Sequence, residues 1–422
     1  MLVQRKYLLG LAWMTAIFII PLPFIQTLNA GLSPIYIGER IPILYGTIAY
    51  SWMLLAIYIG TKPKWLDRLI GLPSAYMLHG ILSLAAITLA FLHKESVWSS
   101  GLIKLTGDWS FDIFIGLSIY SLVFFSGWLT SRVLFLLWIK SQLEHIFKHE
   151  LSVWLHRLNI VATTLVFIHV LLIPYIRQIK SFMAVFLITT LFVFTTYVIS
   201  LLPRGRKAKV LTNTQMTPNI HQLQLLTREK LLFSPGDYIF LSFPKISGLK
   251  EPHPFSVVNV PNNKNEIVLA IRGDGDFTRM VSGVKQLDLA LINGGFGQYQ
   301  TVINDQKPNR LLLIAGGIGI IPLLSLIDGN ASIPINVLYS SHNKENLLYP
   351  EKFSEWNNRA NFEYTMQVGR FNDDQVLSVL GKNKKNLLVL IGGPTIMGRY
   401  WIKKLKKFGL RGSQIYYEEF SW

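Results

Sequence analysis

Up to about Leu202 the apolar residues of this chain neither alternate nor mark one face of a helix; they run together. Six runs can be drawn, at 7–28, 41–60, 74–93, 112–137, 152–174 and 181–202. Each is near the ~20 residues that a helix needs to cross a bilayer core. Beyond Leu202 the texture changes. KAKVLTNT, HQLQLLTR, DYIFLSF, FSVVNV and EIVLAIR read as short strands with turn residues between them, which predicts a small antiparallel β-barrel. From Asn309 strands and helices take turns: RLLLIAG then GIGIIPLLSLI, INVLYSS, FEYTMQV, and NLLVLIGG then PTIMGRYWIKKLKKFG. That alternation predicts a parallel sheet. The predicted class is a multi-domain membrane protein: a six-helix transmembrane bundle over 1–203, an antiparallel β-barrel over 204–305, and an α/β nucleotide-binding domain over 306–422.

Charge adds an orientation to this picture. Of 422 residues only 15% are charged, yet the formal charge is +17. No Lys/Arg-rich run with interleaved aromatics accompanies that excess, so nucleic acid is not an expected partner. Much of it sits at the ends of the apolar runs. Arg5, Lys6, Lys62, Lys64, Arg68, Arg132, Lys140, Lys148, Arg204, Arg206, Lys207 and Lys209 fall on one side, against Arg40, Lys94, Lys104, Arg177 and Lys180 on the other. Twelve against five places the N-terminus and the soluble part in the cytoplasm. The opening MLVQRKYLLGLAWMTAIFII is not followed by a small-x-small cleavage site and reads as a first membrane anchor. The absence of cysteine excludes disulfides, thiolate catalysis and iron–sulfur clusters.

Candidate chemistry begins with four histidines inside these runs. His79 and His93 lie 14 apart in the third, and His156 and His169 lie 13 apart in the fifth. An imidazole in hydrocarbon is costly and calls for a partner. At ~1.5 Å rise per residue each pair spans ~20 Å, room for two flat cofactors stacked across a bilayer, each held by one histidine from each helix. Any one of the four could instead be a buried histidine bonded to a backbone carbonyl. Two matched pairs on spans of the same direction favour ligation, and metal ions other than haem iron are disfavoured because no carboxylate accompanies them. A 14-residue step returns a side chain to within ~40° of its starting face, whereas a 13-residue step misses by ~140°. The fifth helix must therefore be over- or under-wound, for instance by a π-bulge, or present its rings from different edges. Arg157, beside His156, could neutralise propionates or snorkel. His145 and His149 stand an i,i+4 step apart on an expected interfacial helix, a spacing that no nearby acid completes into a metal site.

The soluble part carries glycine turns of the kind that bind phosphate. IRGDGDFTRM (271–280) contains Arg272, and in it Gly273 and Gly275 leave backbone amides exposed while Thr278 adds a hydroxyl. Gly316-Gly317-Ile318-Gly319 follows an apolar strand and opens a helix, where a pyrophosphate can sit. Gly392-Gly393-Pro394 closes a later strand, and such turns at the carboxyl edge of a parallel sheet are where ligands bind.

In these histidine pairs and glycine turns, and in their order, the chain resembles the NADPH oxidase/ferric reductase family, in a compact bacterial form, over nearly its whole length. Both histidine spacings match that family's third and fifth helices. The resemblance implies b-type haems on His79/His156 and His93/His169. It implies that His253, Pro254, Phe255 and Ser256 form the flavin motif, with Ser256 beside the reactive edge of the isoalloxazine, and that Arg272, Gly275, Phe277 and Thr278 belong to the flavin pyrophosphate segment. Gly316, Gly317, Gly319 and Pro322 match the nicotinamide-nucleotide loop, with Gly392, Gly393 and Pro394 completing it. Gly369-Arg370 resembles a pair whose arginine contacts a 2′-phosphate. Phe420, in the terminal YYEEFSW, stands where the family has an aromatic residue shielding the flavin; it and Ser256 are the implied catalytic pair. The implied fold is a ferredoxin-reductase-like domain with a flavin barrel, fused to the six spans.

The function implied by the resemblance is that of an NAD(P)H oxidase of a bacterial inner membrane. FAD and two haems would carry electrons from NADPH (or NADH) to dioxygen, which leaves as superoxide, with membrane lipid the other expected contact and no obligatory protein partner. A ferric-chelate reductase on the same path, or a haem subunit serving a protein partner, are the alternatives. No EF-hand motif precedes the spans, so calcium control in cis is not expected. Three residues depart from the family. Gly392 replaces a common cysteine near the nicotinamide, His342 stands where an arginine often reads the 2′-phosphate, and Val97 takes the place of a further outer histidine. The first bears on hydride transfer, the second weakens NADPH preference, leaving Arg370 and Lys344, and the third bears on oxygen handling.

Overall fold

The protein is described from a computed structural model, which covers residues 6–124, 154–202, 205–262 and 264–418. It divides into two compact units. One comprises Tyr7–Leu66 and Leu72–Leu202; the other comprises Asp67–Gly71 together with the chain from Pro203 onward.

The described residues of the first unit are helical apart from short connections. α1 (Lys6–Met14) runs through a π-helical turn (Thr15–Ile19) towards α2 (Leu22–Gly31). Then come α3 (Arg40–Gly60), the short α4 (Lys64–Ile70), which belongs from Asp67 on to the second unit, α5 (Leu72–Ser96) and α6 (Gly101–Phe124). α7 (Asn159–Leu172) and α8 (Lys180–Leu201) follow. Among the described residues five helical stretches are long and apolar enough to cross a membrane by length and composition: Tyr7–Gly31, Pro34–Gly60, Leu72–Ser96, Trp154–Leu172 and Lys180–Leu201. The expected fourth span, 112–137, is met in part by α6, which begins earlier, at Gly101; the remainder lies outside the described residues, as do His145 and His149. The earlier start brings Lys104 and Asp108 into the helix. Lys94 offsets Asp108 with an ion pair at 2.9 Å.

Packing inside this unit relies on small residues and aromatic rings. Ala49, Ala86 and Ala162 are at most 1% exposed beside Met53 and Phe114, a close approach typical of helices that pack without a water-driven gain. Tyr50 and Phe186 pack with Leu28 and Phe182, and the Tyr50 hydroxyl meets Thr190 Oγ1 at 2.8 Å. The outward surface is itself apolar, with Phe18, Ile188, Leu191 and Phe192 all more than half exposed.

The second unit contains two sheets. β1 (Arg206–Thr217), β2 (Ile220–Thr227), β3 (Tyr238–Ser242), β4 (His253–Ser256), β5 (Glu266–Arg272) and β6 (Leu289–Phe296) form an antiparallel sheet of order β4-β3-β6-β1-β2-β5. A bridge at Val257–Leu269 and a bond from Val258 N–H to Val268 O, 2.8 Å, link its two ends. Inward residues of successive strands, among them Val210, Leu223, Ile239, Leu269 and Ile292, fill one apolar core.

β7 (Arg310–Gly316), β8 (Ile335–Ser341), β9 (Phe362–Val368), β10 (Leu387–Gly392) and β11 (Ile415–Tyr417) form a parallel sheet of order β11-β10-β7-β8-β9. LLLIA of β7 and LLVLI of β10 are buried without alternation, because both faces of these central strands are covered. The chain winds outward from β7 in both directions, so the switch in strand order falls between β7 and β10. Ligands bind at such a switch, beyond the carboxyl ends of the strands.

Candidate functional site

The glycine turns predicted to bind a nucleotide meet at that switch. β7 ends at Gly316 and β10 at Gly392, and the turns beyond them touch backbone to backbone. A Cβ on Gly319 would lie 2.3 Å from Gly393 N, and one on Gly392 would lie 2.1 Å from Gly319 O. Gly392 is thus required by packing: no residue with a Cβ has room while the two turns stay this close. Gly317 holds φ of 53°, in the region open to glycine without strain. Pro322 stands in the first turn of the Ile321–Gly329 helix, where a missing N–H costs nothing. His342 and Arg370 follow the ends of the neighbouring strands β8 and β9, and both are exposed. Gly369 N–H bonds to Ser341 O at 2.8 Å, which fixes these two strand ends together. The parallel sheet therefore gathers Gly316, Gly317, Gly319, Gly392, Gly393, Pro394, His342 and Arg370 along one edge.

The flavin motif occupies β4. His253 stacks on Phe277, with centroids 4.1 Å apart and planes at 28°, and Phe255 lies 5.8 Å from the same ring. Pro254 pairs with Phe240 and Ser256 with Tyr238 on the neighbouring strand. Phe277 sits in a short helix, Asp276–Met280, that opens the expected phosphate segment. The amides read from the sequence as exposed are engaged here. Gly273 N–H bonds to Asn219 O at 2.9 Å, and Gly275 N–H bonds to Thr278 Oγ1 at 2.8 Å. Arg272 is tied to Asp274, Nε to Oδ2 at 2.6 Å. The turn is preorganised by its own polar groups, so a phosphate there would have to replace the Thr278 cap. Ser325 links the two sheets: it accepts from Gly236 N–H at 2.9 Å and donates to Val257 O at 3.2 Å. Phe420 lies outside the described residues.

An acid cluster that the sequence did not signal lies in the same unit. Arg68 Nη1 and Nη2 donate to both oxygens of Asp237 (3.1 and 2.7 Å) and also to the carbonyls of Gly297 and Gly295 (each 2.7 Å). Asp67 accepts from Gly297 N–H at 3.1 Å, and Gln298 Nε2 donates to Asp67 O at 2.7 Å. Gly295 and Gly297 take φ of 83° and 121°, a turn that side chains with a Cβ rarely adopt. Burial pushes the Asp237 carboxyl up to about 6 against the pull of Arg68. Burial first, then the carboxylates of Asp67 and Asp237, raise Glu418 well above the usual carboxylate range. Among the described residues Glu418 Oε2 has no hydrogen-bond partner.

The four histidines come together as two pairs. His79 and His156 have ring centroids 5.9 Å apart, and His93 and His169 6.3 Å apart. Two imidazole nitrogens ligating one metal at about 2 Å each, plus the ring radii, set centroids roughly 6 Å apart. Each Nδ1 is already occupied: His79 on Ala56 O (2.9 Å), His93 on Pro42 O (2.9 Å), His169 on Ile103 O (2.8 Å) and His156 on Ser121 Oγ (3.0 Å). A carbonyl acceptor at Nδ1 fixes the tautomer and leaves Nε2 to ligate. Among the described residues no group of three or more His, Asp or Glu side chains is placed to hold a metal ion. Two imidazoles alone suit an iron whose other positions are filled by a macrocycle. Gly46 and Gly107, each four residues beyond a carbonyl acceptor, make way for the rings: a Cβ there would lie 3.0 Å from His93 Nδ1 and 3.3 Å from His169 Cε1.

The awkward 13-residue step is accommodated by overwinding. After His156, Arg157 N–H, Leu158 N–H and Ile160 N–H bond three residues back, to Trp154, Leu155 and Arg157, before Ala162 N–H restores the four-residue pattern. A turn of 3.0 residues rotates faster than one of 3.6, the direction that recovers the shortfall. Asn159 Nδ2 closes the turn on His156 O at 2.7 Å. The π-helical turn lies instead in the first stretch, at Thr15–Ile19.

Residues 206–309 match the FAD-binding domain family. The chain carries a flavin-binding domain. It is also similar to the electron transfer subunit of dihydroorotate dehydrogenase B (NAD(+)) of Bacillus cereus (strain Q1), 26% identical over 149 residues, 35% of this chain and 58% of that protein. The match thus spans little more than half of that relative's length. Among solved structures, the Amycolatopsis cytochrome P450 reductase GcoB overlaps 51% of this chain and 70% of its own, with 19% identity and a TM-score of 0.45. A ferredoxin NADP+ reductase from Neisseria gonorrhoeae, solved with FAD and NADP, overlaps 51% and 98%, with 17% identity and a TM-score of 0.44.

Proposed function

We propose that the chain is a transmembrane NAD(P)H oxidase. It would take reducing equivalents from NADPH or NADH on the cytoplasmic side and deliver them singly, through FAD and two b-type haems, to dioxygen on the outer side as superoxide. In this reading the haem region is 1–203, the flavin region, closed as a barrel, is 204–305 and the nucleotide region is 306–422. The observation that carries it is the pair of imidazole pairs, with centroids 5.9 and 6.3 Å apart and every Nδ1 anchored. The FAD-binding match over 206–309 supports the electron-donating half.

Bound FAD would accept a hydride as two electrons and release them one at a time, as haem iron requires. This chain's residues do the rest. The Gly316–Gly319 and Gly392–Pro394 turns would take the nucleotide, with His342 and Arg370 along the same edge to meet its 2′ end. Ser256 and Phe420 would border the flavin ring, and the His253–Phe277 stack would hold the motif in place. His79 with His156 and His93 with His169 would each hold one haem, and two imidazole ligands favour electron transfer over direct oxygen ligation.

Detergent-purified protein tests this directly. NADPH and NADH oxidation should depend on FAD and be accompanied by superoxide-sensitive cytochrome c reduction that stops without oxygen. Oxygen-independent reduction of ferric chelates would instead favour a ferric reductase. His93→Leu should keep flavin reduction by NAD(P)H and lose export; continued export would overturn the path.

A further inference from the structure

Three of the four paired imidazoles rest on main-chain carbonyls, of Ala56, Pro42 and Ile103, which no side-chain substitution removes. The fourth meets a side chain. His156 Nδ1 meets the hydroxyl of Ser121 at 3.0 Å. We infer that Ser121 is a positioning residue for the His79/His156 haem site, and that this contact makes the two haem sites unequal in ligand basicity. The inference rests on the haem reading proposed for the four histidines.

When an imidazole ligates through Nε2, its Nδ1 carries the proton, and the acceptor of that proton sets how electron-rich the ring becomes. A carbonyl oxygen is a fixed acceptor with no proton of its own. A hydroxyl both accepts and donates, so its strength as an acceptor depends on where its own proton goes. Among the described residues His93 and His169 have two carbonyls between them, and His79 and His156 have one carbonyl and one hydroxyl. The second pair is therefore the less basic, and less basic ligands favour ferrous over ferric iron. Ser121 also completes the local mechanics. The overwound turn and the Asn159 bond fix the main chain at His156, while the ring itself is held from outside that helix by α6.

The test is a redox titration of the full-length, haem-loaded protein, followed in the α-band, with low-temperature EPR of the ferric state. Ser121→Ala should raise one of the two midpoint potentials, shift the matching low-spin EPR signal and loosen haem at that site by ~10-fold or more. Ser121→Thr, which keeps the hydroxyl, should restore both. Gly107→Ala, whose Cβ would crowd His169 at 3.3 Å, should move the other midpoint and so assign the two. Wild-type midpoints and EPR in Ser121→Ala would overturn the inference. Should that variant fail to accumulate, Ser121→Cys, similar in size but a poor acceptor, must shift the same midpoint in the same direction; no shift overturns it equally. A wild-type protein without low-spin bis-imidazole haem would end the haem reading instead, before any variant is compared.

Discussion

Glu418 shows how much of this molecule is decided by single buried groups. It shares a neighbourhood with Asp67 and Asp237 and with one guanidinium, so three carboxylates cannot all ionise cheaply. Held well above the usual carboxylate range, the Glu418 carboxyl favours its neutral, acid form. Glu418→Gln is nearly isosteric with that acid and should leave the melting temperature at pH 7 within a few degrees of wild type, while a protonated-carboxyl band disappears from the infrared spectrum. A large destabilisation, or no lost band, would mean that the group is ionised. Asp237 gives the pH dependence. Its folded-state value, about 6, lies above the ordinary 3.8, so the folded unit binds the proton more tightly than the unfolded chain does. The stability from this proton is fully present below about pH 4 and is lost as pH rises through about 6. Asp237→Asn should therefore flatten the part of the thermal stability curve that falls between pH 4 and 6.

At the scale of elements, what the sequence made legible was whatever repeats. Unbroken runs such as FMAVFLITTLFVF and LLLIA announce long apolar helices and buried strands, and glycine turns after strands announced the carboxyl edge of the parallel sheet. The 13-residue histidine step forecast a distorted helix, although only the bonds of Arg157, Leu158 and Ile160 decide between overwinding and a π-bulge. Contacts without a period stayed hidden. Nothing local marks Asp67 and Arg68 as partners of residues more than 150 positions away, and nothing in IRGDGDFT says that Thr278 already caps Gly275. Nor does sequence reveal that Gly46 and Gly107 clear space for imidazoles. α4 is the clearest case, because its function lies in four donated bonds rather than in a pattern. Arg68→Ala would leave Asp237 buried without its cation and the Gly295 and Gly297 carbonyls without donors. The expected loss is about 2–3 kcal/mol, below the 3–5 kcal/mol of a fully buried pair because the arginine side chain is 34% exposed. Thermal unfolding followed by flavin fluorescence measures it; an unchanged transition would show that the Asp67–Gly71 segment contributes nothing to this unit.

For the whole molecule the decisive property is sidedness. In the proposed reading the electron path ends outside, which is useful only if the coenzyme is oxidised where coenzyme exists, and the basic residues flanking the apolar runs, twelve against five, predict that direction independently of any histidine. The rule acts through residues near the ends of spans, so it applies to Lys62, Lys64 and the Arg204–Lys209 cluster whatever the reductase binds. Membrane vesicles separate the two properties. Inverted vesicles, which present the cytoplasmic face, should oxidise added NADPH or NADH at once and accumulate superoxide within, detectable by a probe trapped in the lumen. Right-side-out vesicles should leave external coenzyme untouched until detergent opens them. Prompt oxidation by right-side-out vesicles would reverse the orientation while leaving the cofactor path intact. Superoxide on the same side as the coenzyme would mean that electrons leave from the flavin and that the paired histidines carry no current.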